Sequence, residues 1–127
     1  MRFHTRKWVK PEDLKSNGTL FGGKLLAWID EELALYTIIQ LENTRIVAKH
    51  MSEINFRSSA KQGDIIEIGI DVLKFGNTSL TLKCEARNMM TRETIIMIDH
   101  TTMVNLDAEG KLKAHGKKTI EFVKDRL

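Results

Sequence analysis

The chain has 127 residues with 42% hydrophobic content, which suffices for one domain with a packed core but is small for an enzyme that encloses a cofactor-sized ligand by itself. A single cysteine excludes an intramolecular disulfide and makes a reducing compartment the default, while a net charge of +3 suits an anionic ligand or nucleic acid equally well. Residues 1–10 are polar and basic, and no apolar run reaches membrane-spanning length. We therefore expect a soluble, cytoplasmic protein without a membrane partner.

The first predicted elements are a short strand and a long apolar helix. Residues 3–9 are predicted to form a strand that ends before Pro11, and residues 12–20 a loop. From residue 21 to about residue 41, apolar residues recur at steps of three or four and widen into a stripe that nearly surrounds the helix. We expect a helix this apolar to be buried on most sides.

The second half of the chain predicts an antiparallel sheet. Residues 45–56 are predicted to form one strand and residues 58–63 a turn. Alternating apolar residues predict two further strands, at 66–72 and 80–86, joined as a hairpin by a turn at Gly76 and Asn77. Residues 94–104 are apolar on both faces, as in a central strand, and residues 114–127 are predicted to form a terminal helix docked by Ile120, Phe122 and Val123.

Residues 16–30, S-N-G-T-L-F-G-G-K-L-L-A-W-I-D, combine an oxyanion site with a carboxylate. Gly22 and Gly23 leave bare N–H groups at the helix start, where the helix dipole favours developing negative charge. Asp30 stands among large hydrophobic residues, which calls for a functional explanation. It lies roughly 10–12 Å from the glycines along the axis, at ~1.5 Å per residue. One carbonyl cannot contact both, so a site that uses both takes them from two copies of the chain.

The segment N-G-T-L-F-G-G-x-L-L-A-W-I-D-E resembles the hotdog-fold acyl-CoA thioesterases. The likeness extends through S-E-I-N-F-R-S-S-A-K-Q-G-D-I-I-E-I-G-I (52–70) and F-G-N-T-S (75–79), and covers most of the chain from about residue 8 to residue 105. It implies an α+β hotdog fold, in which an antiparallel sheet wraps one long helix, with residues 1–127 as a single domain. It also implies an enzyme of fatty acid metabolism that hydrolyses acyl-CoA to a carboxylic acid and coenzyme A. The homo-oligomer implied is a dimer with a composite site, assembled further into tetramers or hexamers.

The resemblance also assigns roles to four residues in catalysis. The N–H groups of Gly22 or Gly23 polarise the thioester carbonyl, and Asp30 of the facing subunit activates water or attacks directly. Asn17 orients the water or the carbonyl, although an asparagine before Gly18 is also a common turn former. Both roles for Asn17 stay open.

For the coenzyme A phosphates we expect contacts from two basic residues and from one turn. The basic residues are Arg57 and Lys61, and the turn comprises Gly76, Asn77, Thr78 and Ser79. Family members often have an Arg-Pro pair where this chain has Arg57-Ser58, and a basic residue where it has Asn77. Coenzyme A enters as part of the substrate, and no other cofactor is expected.

Other classes of protein fit the residues less well. A non-catalytic hotdog module that binds acyl-CoA as a sensor or regulator needs no acid at position 30, and a hydratase needs a histidine near the helix start. The basic tail lacks alternating aromatic residues, which favours a solvated end over a nucleic-acid site. Glu31 and Glu32 are expected in solvent or in a dimer contact, because they lie about 100° and 200° around the helix from Asp30.

The remaining reactive side chains do not predict a metal site or a nucleophile. Cys84 lies on the apolar side of its strand, as expected of a buried, inert thiol. The four histidines are His4, His50, His100 and His115. None has a second histidine four positions away or a cysteine nearby, so the sequence predicts no metal site. We expect His50 to be a hydrogen-bonded structural residue.

Overall fold

In residues 1–121, which the computed structural model describes, one long helix lies against a six-stranded antiparallel sheet. The elements in chain order are β1 (Arg2–Trp8), a short 3₁₀ turn (Pro11–Asp13), α1 (Gly22–Leu41), β2 (Ile46–Met51), β3 (Ile54–Phe56), β4 (Ile65–Phe75), β5 (Ser79–Asn88) and β6 (Thr94–Asn105). The predicted α+β class and the predicted helix are confirmed.

The sheet has the strand order β1-β4-β5-β6-β2, and β3 also pairs with β6. β6 is central, since β5 flanks it on one side and β2 and β3 on the other, as its two apolar faces predict. β4 and β5 form the predicted hairpin. Their alternating apolar side chains form the core against α1; they include Ile66, Ile68, Ile70, Leu80, Leu82, Cys84 and Ala86.

The strand predicted over residues 45–56 is interrupted. β2 and β3 are separated by Ser52 and Glu53, yet β3 continues the register that the end of β2 has against β6, with Met51 opposite Thr101 and Ile54 opposite Ile98. Earlier in β2 the register shifts between Ala48 and His50. At the break the Ser52 hydroxyl accepts the His100 N–H (3.0 Å), and the Ser52 N–H donates to the His100 carbonyl (2.7 Å). At this break a side-chain oxygen takes the place of a backbone carbonyl in the hydrogen bonds of the sheet. The hydrophobic pattern of the sequence does not show such a break.

The terminal helix predicted for residues 114–127 is wrong over residues 114–121, which are irregular; Phe122 and Val123 lie outside the described residues. Most hydrogen bonds of this segment go to other elements, although the Lys117 N–H donates to His115 Nδ1 within it (2.9 Å). The buried Gln40 amide donates to the Glu121 carbonyl and accepts the Glu121 N–H, each at 2.8 Å. Four positions earlier, Lys117 pairs with Glu42, just after α1, at 2.8 Å. Contacts with other elements therefore hold the segment in place of a helical hydrogen-bond pattern.

The helix is less buried than its composition predicts. One face packs on the sheet through Leu25, Ile29 and Leu33, but the opposite face leaves Leu35 48% exposed. Val47, on the neighbouring edge strand β2, is 46% exposed. The apolar stripe is thus wider than the surface that one sheet covers. No helix within residues 1–121 has the length and apolarity to cross a membrane.

Leu82→Ala should lower the free energy of unfolding by about 2–5 kcal/mol, because Leu82 is fully buried between the sheet and α1. Leu73→Ala, on the same hairpin but 46% exposed, should cost about 0.5 kcal/mol or less. Urea unfolding followed by circular dichroism measures both. Equal losses would contradict the assignment of the core.

Candidate active site

The start of α1 carries two N–H groups without an acceptor. Phe21 caps the helix without a side-chain hydrogen bond, and its own N–H donates to the Asp13 carbonyl at 2.9 Å. The N–H groups of Lys24 and Leu25 donate to the Phe21 carbonyl. Those of Gly22 and Gly23 have no acceptor within residues 1–121. Two adjacent donors therefore lie at the positive end of a 20-residue helix, as an oxyanion site requires.

A buried carboxylate holds the loop before the helix in place. Asp13 Oδ2 accepts the Lys10 N–H at 2.9 Å, and Oδ1 lies 3.6 Å from the ammonium of Lys24 in the first turn of α1. Further along the loop, the Leu20 N–H donates to the Ala60 carbonyl at 2.8 Å. These contacts join the loop to the helix and to the segment after β3, so the direction of the two free N–H groups is set by the fold.

A cavity of about 270 Å³ opens beside the helix start. Its lining includes Lys15, Thr19, Gly22, Phe56, Ser58 and Ile95. Of these, only Gly22 was predicted as a site residue; Lys15, Phe56 and Ser58 are separated in sequence and carry no motif that joins them. The cavity places apolar walls, hydroxyl groups and one lysine next to a free N–H group.

A larger open groove of about 630 Å³ lies elsewhere, between the end of β4 and the C-terminal segment. Its lining consists of Val72, Leu73, Lys74, Phe75 and residues 118–120. It contains neither a free helix-terminal N–H group nor a carboxylate. Size alone therefore does not identify the site, and the smaller cavity has the more suitable chemistry.

Within one chain, Asp30 is kept away from the glycines. α1 is continuous from Gly22 to Leu41, so eight residues at ~1.5 Å separate Asp30 from Gly22 along the axis. Asp30 is exposed on the outward side of the helix, about 140° around it from the exposed Leu35. The predicted separation is present, so Asp30 cannot reach the start of its own helix.

Asn17 is engaged in the local turn. Its Oδ1 accepts the Thr19 N–H at 3.1 Å and the Thr19 hydroxyl at 2.8 Å, while the side chain is exposed. The turn-forming role of Asn17 is thus present, and the side-chain NH₂ is the part left for a ligand. Asn17 does not line the 270 Å³ cavity, whereas Lys15, two residues earlier, does.

The residues predicted to bind coenzyme A fall into two groups. The Arg57 N–H donates to the Ile95 carbonyl (2.8 Å), and Lys61 bridges to Thr19, so both lie near the cavity. The turn of Gly76, Asn77, Thr78 and Ser79 lies at the other end of the sheet, where Ser79 pairs with Val104. Ile95 and Val104 are nine positions apart on β6, roughly 30 Å at ~3.3 Å per residue. One phosphate of one ligand cannot contact both groups of the same chain.

Four other side chains with predicted environments lie outside the candidate site. Glu32 is only 9% exposed, so the prediction of a solvent or dimer contact is wrong for it; Glu31 is exposed as predicted. Burial, with smaller contributions from the charges of Glu32 and Glu85, raises the pKa of the Cys84 thiol to about 12, which confirms an inert side chain. His50 is exposed on β2. Within residues 1–121, no three His, Cys, Asp or Glu side chains are placed to hold a metal ion.

The family model of the thioesterase superfamily matches residues 17–95. The match begins at Asn17, includes the helix start and Asp30, and ends in β6, so it covers more than half of the chain. The chain belongs to the thioesterase superfamily.

Curated proteins of similar sequence are named as hydrolases or esterases. An uncharacterized acyl-CoA thioester hydrolase of Buchnera aphidicola subsp. Baizongia pistaciae is 29% identical over 80 residues, which are 63% of this chain and 58% of that protein. A putative esterase of Caenorhabditis elegans is 26% identical over 115 residues, 91% of this chain and 57% of that protein. The chain spans a little more than half the length of these relatives.

Solved structures of thioesterases have the same fold, which confirms the hotdog topology. An apo-hexameric acyl-CoA thioesterase is 31% identical, with a TM-score of 0.76 over 95% of this chain and 78% of that one. An acyl-CoA hydrolase of Staphylococcus aureus, in complex with butyryl coenzyme A and coenzyme A, is 28% identical, with a TM-score of 0.78 over 87% of this chain and 66% of that one. Solved variants of the Staphylococcus aureus hydrolase replace an asparagine and, fifteen positions later, an aspartate by alanine.

Proposed function

We propose that the protein hydrolyses acyl-CoA thioesters to a carboxylic acid and coenzyme A, in a site built from two copies of the chain. The observation that carries the proposal is the pair of free N–H groups at Gly22 and Gly23, beside a cavity and at a fixed distance from Asp30. Family membership and the hydrolase names of the relatives support it, and they favour hydrolysis over binding without turnover.

The second copy packs on the uncovered apolar face of α1 and the edge strand β2. Leu35 and Ile39 are exposed on the helix and Val47 on the strand, and exposed apolar side chains of this kind mark an interaction site. Asp30 lies about 140° around the helix from Leu35, so the partner has to extend across the outward side of α1 to reach it. Similar solved thioesterases are hexameric, which supports higher assemblies of such dimers for this chain.

In the proposed reaction, the thioester carbonyl oxygen accepts hydrogen bonds from the N–H groups of Gly22 and Gly23. Negative charge develops on that oxygen as the carbonyl carbon becomes tetrahedral, and the helix dipole stabilises it. Asp30 of the other copy takes a proton from the attacking water, or attacks the carbon itself to form an anhydride that water then opens. The carbon–sulfur bond breaks, and the thiolate leaves without an acid because a thiol has a pKa of about 8.5. This chemistry needs no resident cofactor.

Two side chains of the loop compete for the role of orienting the water or the carbonyl. Asn17 precedes Asp30 by thirteen positions, whereas the asparagine and aspartate replaced in the Staphylococcus aureus hydrolase are fifteen positions apart. Fifteen positions before Asp30 stands Lys15, which lines the cavity. An ammonium group can donate to the developing oxyanion as an amide can, with the addition of a positive charge.

Asp30→Asn should leave the fold intact and lower kcat by about 10²-fold or more, because the shape is kept while the basic carboxylate is lost. Glu31→Gln is the matched control, since it removes the neighbouring exposed carboxylate of the same helix and should stay within a few-fold of the parent. Free thiol release from a panel of acyl-CoA substrates measures both. Full activity of Asp30→Asn would remove Asp30 from the mechanism.

Mixed dimers should restore activity if the site is composite. One variant is Asp30→Asn, and the other lacks both candidate loop side chains, Asn17→Ala with Lys15→Met. In an equal, randomly exchanged mixture, about a quarter of the parental activity should return, because each mixed dimer has one intact site and one with all defects. Mass spectrometry of differently tagged chains verifies the exchange. Verified exchange without rescue would place the whole site within one chain.

Arg57→Ala and Lys61→Ala should raise KM with little change in kcat, since contacts to distant phosphates stabilise the ground state and the transition state equally. Asn77→Ala tests the other group of ligands in the same way. The effects should shrink for acyl-pantetheine substrates, which lack the nucleotide, and should weaken as salt rises. A variant that is equally impaired on acyl-pantetheine would be assigned to the fold or to the acyl pocket.

A further inference from the structure

Two aromatic rings occupy the space that side chains at Gly22 and Gly23 would need. A Cβ atom built on Gly22 would lie 3.2 Å from Phe56 Cε1, and one on Gly23 would lie 2.7 Å from Phe21 Cε1. A side chain at either glycine would therefore force the neighbouring ring to shift. Each ring lies in contact with the backbone that carries a free donor.

The rings are not explained by core packing. Phe21 is 55% exposed and Phe56 58% exposed, so more than half of each ring faces outward at the helix start. Phe56 is also part of the lining of the cavity beside Gly22. Two exposed aromatic side chains thus place apolar surface beside the two free donors. Apolar surface next to hydrogen-bond donors suits a flat, uncharged group with one acceptor, which describes a thioester.

We infer that Phe21 and Phe56 form an aromatic slot that positions the thioester against the N–H groups of Gly22 and Gly23 and keeps water away from the oxyanion. The inference rests on the proposed thioester hydrolysis and adds two positioning residues to it. Apolar walls lower the local dielectric, so the hydrogen bonds to the developing negative charge are stronger than they would be in water. The flat faces also restrict the rotation of the bound thioester.

The same chain contains a structural counterpart of this packing. Phe3 lies against Gly69 in the sheet, where a Cβ atom would come within 2.9 Å of the Phe3 ring. The outer face of this ring is covered by the guanidinium of Arg87, at 3.6 Å from the ring centroid. Phe3 therefore packs on a glycine as the two slot rings do, but its outer face is not available to a ligand. It serves as a matched control for a purely structural ring-on-glycine contact.

The test replaces each slot ring by leucine and by tyrosine. Phe56→Leu and Phe21→Leu should each lower kcat about tenfold or more with a smaller change in KM, because the walls act mainly when charge develops. Phe56→Tyr and Phe21→Tyr keep the ring and should remain within a few-fold of the parent. Phe3→Leu should lower the melting temperature without lowering kcat. Size-exclusion chromatography with light scattering follows the oligomeric state of every variant.

A double-mutant cycle tests the ring-on-glycine contact itself. Gly22→Ala should lower kcat because its methyl group pushes the Phe56 ring out of position. In the Phe56→Leu background, Gly22→Ala should lower the logarithm of kcat by less than half as much, since the ring is already absent. An additive cycle would overturn the inference.

Three further outcomes would also overturn the inference. In the first, the parent hydrolyses thioesters and the leucine variants are equally active, so the proposed function stands without the slot. In the second, kcat falls only in variants whose oligomer dissociates. In the third, the parent has no thioesterase activity, and the proposed function fails as well.

Discussion

The unbroken helix from Gly22 to Leu41 is the constraint on which the rest of the structure depends. Because α1 has a constant rise, the free donors at its start and the carboxylate at Asp30 keep a separation of roughly 12 Å, whatever the sheet does. A reaction centre is a few ångströms wide, so the two groups of one helix cannot share one. The rigidity that holds each group in place therefore also makes the single chain half of the proposed site.

Both ends of this helix are held by other parts of the chain. At the start, the buried Asp13 carboxylate binds a loop N–H group and lies beside the Lys24 ammonium, so that the cost of burying a charge is offset by partners. At the end, the Gln40 amide exchanges two hydrogen bonds with the backbone of Glu121. Between them the sheet covers only one face, and the apolar remainder next to β2 is what a second chain needs for packing.

Local patterns predicted most of the elements and part of the candidate site. Gly22, Gly23 and Asp30 belong to one short motif, and alternation along β4 and β5 identified the residues that are buried in the hairpin. Phe56 was missed, because its contact with Gly22 joins residues more than thirty positions apart and only the tertiary fold brings them together. The terminal helix failed for a related reason: the backbone groups of residues 114–121 bond to distant elements, which periodicity does not report. Glu32 failed because its face of the helix is covered by the sheet.

The two halves of the proposed site differ in what they require of the surrounding water. Hydrogen bonds from Gly22 and Gly23 gain strength in an apolar setting, and the chain provides that setting from its own rings. Asp30 is exposed in one chain, where its charge is solvated at no cost. Association in the proposed dimer removes solvent from Asp30, and an isolated carboxylate in apolar surroundings costs several kcal/mol unless a polar group accompanies it. The proposed interface must therefore keep a water or another donor at Asp30, and a water kept there is available for the proposed reaction.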